Sequence, residues 1–104
     1  MKGSMQLNAV LGIALLAGTC AVQAQEGKKV YDEKCAVCHA TGTAGAPKTG
    51  NAGDWGPRLK AGKDALYASA IKGTAKGMPP KGGFADLSDA AVKAAVDVMI
   101  AGVK

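Results

Sequence analysis

Val92, Val96, Met99 and Val103 fall at steps of four, three and four residues along the chain. That spacing places them on one face of a helix. Ser88 precedes the run as a good N-cap, with Asp89 just inside the start. A second helix is predicted over Lys63 to Lys72, where Leu66, Ala70 and Ile71 share a face and Gly73 follows as the C′ residue. A third is predicted over Glu26 to Val37. There Val30, Tyr31, Lys34 and the Cys35 region are helically spaced, and Glu26 sits in the first turn, where the helix dipole favours an acid. Two stretches break the period. Thr41 to Gly56 is rich in Gly, Ala, Thr and Pro and reads as a long loop. Its glycines make no phosphate-binding fingerprint, since no strand precedes them and no Lys-Ser/Thr pair follows. Gly73 to Gly83 is the second irregular segment and holds Met78-Pro79-Pro80. No strand alternation and no repeat is visible, so the expected class is all-α, with three to four helices and long loops. A loop of such length in a small domain is expected to wrap something.

The N-terminus is set aside from this fold. Lys2 gives a basic start, an apolar run covers Ala9 to Ala17, and Val22-Gln23-Ala24 offers the small-x-small pattern that a signal peptidase cuts. The run is shorter than the ~20 apolar residues that a spanning helix needs. Residues 1–24 are therefore expected to be a cleaved signal peptide and 25–104 the mature domain, which would make the protein periplasmic. Cys20 invites a lipid-anchor reading, but Thr19 stands where a lipobox wants a small Gly or Ala, so anchoring is not expected.

The mature domain of about 80 residues is near the size at which a core alone struggles. Its aromatic inventory is thin: Trp55, Phe84, Tyr31 and Tyr67. Something other than side chains is expected to fill the centre. The formal charge of the chain is +5, of which Lys2 supplies one. The charge is scattered, which with export argues against a nucleic-acid partner.

One histidine and the two remaining cysteines lie together in Cys35-Ala36-Val37-Cys38-His39. C-x-x-C-H is the attachment pattern for a c-type haem. Two thiols with two residues between them, at a helix end, reach the two vinyl groups of one haem. The next residue then presents an imidazole to the iron as proximal ligand. The rivals are weaker. A thioredoxin-like redox pair belongs with a strand–helix pattern that is absent. A structural zinc needs four ligands. A Cys35–Cys38 disulfide would close a very short loop and stabilise little.

The opposite axial position cannot be a second histidine. Lysine is ordinarily protonated at neutral pH. Of the methionines outside the signal, Met99 lies on the apolar stripe of the last helix and reads as core filler. Met78 lies in Lys76-Gly77-Met78-Pro79-Pro80, a loop that the prolines stiffen, and is the preferred ligand. A thioether favours ferrous iron and raises the reduction potential.

With these residues the chain resembles the class I c-type cytochromes, and the bacterial cytochrome c5 group in particular. The resemblance runs through Tyr31 to Gly42, Gly45-Ala46-Pro47-Lys48, Trp55-Gly56-Pro57-Arg58-Leu59 and Met78-Pro79-Pro80-Lys81-Gly82-Gly83. It implies the class I cytochrome c fold wrapped around one covalent haem c. It also implies that Gly27 and Tyr31 lie where the first helix crosses the last, near Val96 and Met99. By the same resemblance the Pro57 carbonyl would accept from the ring N–H of His39. Trp55 and Arg58 would meet haem propionates, or else Trp55 would be a buried wall and Arg58 an exposed residue. The chain departs from the c5 pattern at Phe84 and Leu87, where an extra Cys pair is often found; apolar packing is expected there instead.

The function this implies is single-electron transport between respiratory redox proteins, without enzymatic turnover. A monomer is expected. Lys48, Lys60, Lys72, Lys76 and Lys81 either ring the haem edge and steer it to acidic docking surfaces, or are ordinary solvated lysines. Two other readings stand beside it: a haem protein whose labile Met78 yields to a small molecule, and a fixed haem subunit of an oxidoreductase complex.

Overall fold

The first helix bends its own periodicity on the way to the cysteine motif. The computed structural model describes residues 25–103; residues 1–24, where the signal peptide and Cys20 were expected, and Lys104 lie outside them. Helix α1 (25–39) is α-helical at 25–30, π-helical at Tyr31–Cys35 and α-helical again at Ala36–His39. A π turn holds more residues than an α turn. Four-residue steps that would drift around an α-helix therefore stay on one face. Gly27 and His39 are buried, and Tyr31 and Cys35 between them pack on the core. α1 runs two residues beyond its expected end at Val37. Gly42 stops it, with φ 80° and its N–H on the Cys38 carbonyl at 3.0 Å.

A 3₁₀ turn at Thr43–Gly45 leads to α2 (Ala52–Leu59), which occupies the end of the segment expected to be all loop. Asn51 caps it, accepting from Asp54 N–H at 2.9 Å. Gly53, Gly56 and Pro57 obscure this helix in the sequence, since each lowers helix propensity. Helix α3 (Lys63–Lys72) has the expected bounds and ends at Gly73. A second 3₁₀ turn, Pro80–Gly83, lies in the next irregular segment. Helix α4 (Asp89–Ile100) starts at Ser88, whose Oγ accepts from Ala91 N–H at 3.1 Å. Among the described residues no strand occurs, and no helix is long and apolar enough to cross a membrane.

Trp55, Leu66, Ala70, Val92, Val96, Met99 and Ile100 form the core. The apolar face of α4 supplies most of it, as its periodicity requires. α1 crosses α4 at Gly27, whose nearest contact is Ala94, while Tyr31 packs on the core that holds Val96 and Met99. A Cβ on Gly27 would stand 2.7 Å from the Ala94 carbonyl oxygen. The two backbones meet because no side chain intervenes. α3 meets α4 through Tyr67, whose hydroxyl donates to Asp97 at 2.5 Å, with Lys93 over its ring at 5.8 Å.

Two predictions follow from these crossings. Gly27→Ala should force the helices apart and destabilise the holoprotein by about 1–3 kcal/mol, read as a lower denaturant midpoint; an unchanged midpoint would refute the close crossing. The hydrogen bond to Asp97, with burial and the charges of Asp97 and Asp64, pushes the Tyr67 hydroxyl up to about 12 from 10. A raised pKa means the protonated hydroxyl is favoured in the fold. The stabilisation is thus complete below pH 10 and is lost as pH rises to about 12. Ultraviolet titration should show one tyrosinate appearing late, and Asp97→Asn should bring it back towards 10; a tyrosine titration indifferent to Asp97 would contradict the contact.

Candidate functional site: a thiol, imidazole and thioether cluster

His39 ends α1 and is 7% exposed. Its Nδ1–H donates to the Pro47 carbonyl at 2.8 Å. The segment 46–50 doubles back across the end of α1 and is tied there several times. Thr49 N–H donates to the His39 carbonyl at 2.8 Å, and Gly50 N–H to the Met99 carbonyl of α4 at 2.8 Å. The Thr49 hydroxyl bonds Tyr31 Oη of α1 at 2.6 Å. Lys48 N–H donates to Asp54 Oδ2 at 3.0 Å. The loop is thus a strut fastened to α1, α2 and α4 together. An imidazole whose Nδ1 carries the proton has its lone pair on Nε2, so the strut sets the tautomer.

The expected acceptor for this imidazole, Pro57, is displaced. Pro57 lies inside α2 and is exposed, and the carbonyl on His39 belongs to Pro47. Pro47 sits in the segment that returns over His39; Pro57 is carried away from it by the helix. Trp55 is the buried wall, 4% exposed, with its ring stacked beside His39 at 6.2 Å between centroids. Its single donor, the indole N–H, is already spent on the Lys48 carbonyl at 2.8 Å and is not free for a propionate. Arg58 is exposed, and its Nη1 donates to the Asp54 carbonyl of its own helix at 2.6 Å.

Cys35 and Cys38 are half-buried and not joined to each other. Burial pushes the Cys35 thiol up. Val37 between them is 77% exposed, so the motif presents one side to solvent and its thiols and imidazole to the interior. Among the described residues no group of His, Cys, Asp and Glu side chains is arranged to hold a metal ion.

Met99 is 2% exposed in α4, as core filler should be. Met78 is half-buried and packs on the edge of the core. Its carbonyl accepts from Thr74 N–H at 2.9 Å, and its N–H donates to Thr74 Oγ1 at 3.3 Å. Gly73 lets the loop lie down: its φ is 80°, and a Cβ there would stand 2.8 Å from the Met78 carbonyl oxygen. The strap then runs back to α1. A Cβ on Gly82 would lie 3.6 Å from the Lys34 carbonyl oxygen, and Lys34 Nζ stands 4.4 Å from the Phe84 ring centroid.

Sequence reasoning missed Thr49 and the roles of Pro47, Gly73 and Lys81. Pro47 lay in a matching segment, eight residues after His39; Gly73 was read only as the end of a helix and Lys81 only as a surface or docking lysine. The donor set itself fits a covalent haem. It provides two unpaired thiols on neighbouring positions of one helix face, an imidazole of fixed tautomer, and a soft thioether on a stiffened strap.

Comparison with known proteins agrees. Residues 22–99 match the family described as cytochrome c oxidase, cbb3-type, subunit III. The chain is 45% identical to a cytochrome c-555 of Chlorobaculum tepidum, over 88% of this chain and 90% of that one. It is 42% identical to a cytochrome c5 of Azotobacter vinelandii, over 73% of this chain and 93% of that one. A solved chain from an electron transfer complex of nitrite reductase with cytochrome c superposes with TM-score 0.66 at 45% identity, covering 72% of this chain and 90% of that one. This is a haem c protein of the electron-carrier kind, and the chain belongs to the class I c-type cytochromes, near cytochromes c-555 and c5.

Proposed function

We propose that the protein is an exported, diffusible single-electron carrier with one haem c held by His39 and Met78. Cys35 and Cys38 form its thioether bonds, and the signal segment is removed after Ala24. The observation that carries this reading is the His39 Nδ1–Pro47 hydrogen bond, which reserves Nε2 for the iron. A buried imidazole that served only packing would not need its tautomer set by a strut fastened to three helices.

Haem c, when bound, supplies the one-electron couple. The chain's residues supply the rest. Pro47 holds the Nδ1 proton in place and strengthens the imidazole as a donor. Trp55 and the half-buried Tyr31 and Leu59 keep water from that side. Met78, on the strap between Gly73 and Gly83, would supply the second ligand. A thioether would favour ferrous iron and a higher potential than a second nitrogen would. Both ligands are fixed by backbone hydrogen bonds, so little moves when charge changes.

Lys48, Lys60, Lys72 and Lys76 are exposed and suited to steer an acidic redox partner. Lys81 is turned inward and leaves that set. The complex in which the superposed chain was solved supports an oxidoreductase as the partner class. The relatives named c-555 and c5 are matched over 90% and 93% of their own length, which supports a carrier built like them rather than a fixed subunit.

The test is a visible spectrum of the exported, reduced protein with and without carbon monoxide, alongside its intact mass. Sharp low-spin bands that ignore carbon monoxide are expected, on a chain that begins at Gln25. Bands that shift in the wild type would replace the carrier reading with that of an open or labile iron. Absence of haem from properly matured protein would end both.

A further inference from the structure

Lys81 has a backbone conformation that a lysine has no local reason to adopt. Its φ and ψ are 53° and 32°, in the left-handed region. Such a conformation costs an L-residue with a Cβ energy that glycine does not incur. The chain uses glycine for the same purpose at the next two positions, Gly82 (φ 64°) and Gly83 (φ 92°). A side chain is therefore kept at position 81 against the conformational preference of its own backbone.

What that side chain does is visible. Lys81 Nζ donates to the Leu87 carbonyl at 2.6 Å and pairs with Asp89 Oδ1 at 3.2 Å. Its side chain is 20% exposed, that of Asp89 64%. An ion pair with so exposed a carboxylate contributes little alone. The short charge-assisted hydrogen bond from a largely covered ammonium is the stronger contact. Together they fasten the strap to the residues that open α4. On its other side the strap is fastened to the end of α3 by Thr74 and Gly73. Met78 lies between these two fastenings. Pro79 and Pro80 join it to Lys81 with little freedom, because each ring fixes φ.

We propose that Lys81 is a positioning residue for the axial thioether: its ammonium closes the strap that keeps Met78 on the iron. The inference rests on Met78 being the ligand. Met78 itself has a flexible side chain, so the rigidity must come from the backbone that carries it. Thr74, and the seat of Pro80 against Gly73, hold the strap on the side of α3 only. The Lys81 clamp adds the fastening to α4.

The test is an imidazole titration of the ferric holoprotein, in which added imidazole must displace the thioether. Lys81→Gly removes the clamp while relieving the left-handed strain, so it is expected to fold and to take up haem. It should bind imidazole about tenfold more tightly than wild type, the equivalent of losing one charge-assisted hydrogen bond. Lys81→Arg, which retains a donor able to reach the same two oxygens, should restore wild-type affinity. Denaturant midpoints are measured on the same samples. If Lys81→Gly lowers the midpoint yet leaves imidazole affinity unchanged, Lys81 is a fold element only and the proposal fails. Met78→Ala separates the two levels. It should bind imidazole more tightly still; if it does not, Met78 is not the ligand, and that reading falls whatever Lys81→Gly shows.

Discussion

The hydrogen bond from His39 Nδ1 to the Pro47 carbonyl is the contact on which the rest of the site depends. A histidine at a helix end can rotate and can carry its proton on either nitrogen. One backbone acceptor removes both freedoms, but only if the acceptor itself cannot move. Pro47 meets that condition through its neighbours. Lys48 is held at both its N–H and its carbonyl, Thr49 at α1, and Gly50 at Met99 of α4. The segment 46–50 of the Gly-rich loop is thus held in place because its polar backbone groups are paired with three helices. Its glycines supply the turns; its hydrogen bonds supply the rigidity.

The opposite wall follows the same logic with different chemistry. The strap through Met78 has prolines in place of a hydrogen-bond ladder, a glycine against which it lies at Gly73, and an ammonium clamp at Lys81. Both walls add backbone fastenings to a side-chain core that is small. Most of that core comes from α4, with Trp55, Leu66 and Ala70 from α2 and α3. A haem body, flat and apolar, would supply surface that so short a chain does not provide, and would then serve as core as well as redox centre.

The sequence made the chemistry of the site legible and left part of its support hidden. C-x-x-C-H is local in the chain, so spacing alone discloses it. The bounds of α3 and the Ser88 cap were legible for the same reason: each depends on residues a turn apart. The π segment was not, since Tyr31–Cys35 has no composition that distinguishes it from an α turn. α2 was hidden under Gly53, Gly56 and Pro57, although Asn51 with Asp54 three residues on carried a cap signal. Pro57 was expected because the resemblance assigns the carbonyl to the Gly-Pro-x-Leu pattern. Which proline returns over His39 is a question of tertiary path that a motif cannot answer, and the fold answers it with Pro47. The role of Lys81 was equally out of reach, because a lysine beside two glycines reads as surface.

The absent cysteine pair shows how one constraint can be met by unlike means. Chains of the c5 type often have an extra Cys pair at the positions of Phe84 and Leu87. A bond across so short a loop would restrict the unfolded chain only modestly; its greater effect would be to hold the turn after the strap in one shape. Here Leu87 N–H donates to the Phe84 carbonyl at 3.0 Å, and the Leu87 side chain packs on the core. Phe84 is covered by the Lys34 ammonium, which joins the turn to α1 just before Cys35. Lys81 takes the Leu87 carbonyl and joins the turn to α4. Each contact is weaker than a covalent bond. But a disulfide would link the turn only to itself, whereas these contacts link it to both helices that bound the site. The strap that carries Met78 is thereby referenced to the helix that carries His39. If His39 and Met78 are the two ligands, as proposed, keeping them at a constant separation requires that reference more than it requires a rigid turn.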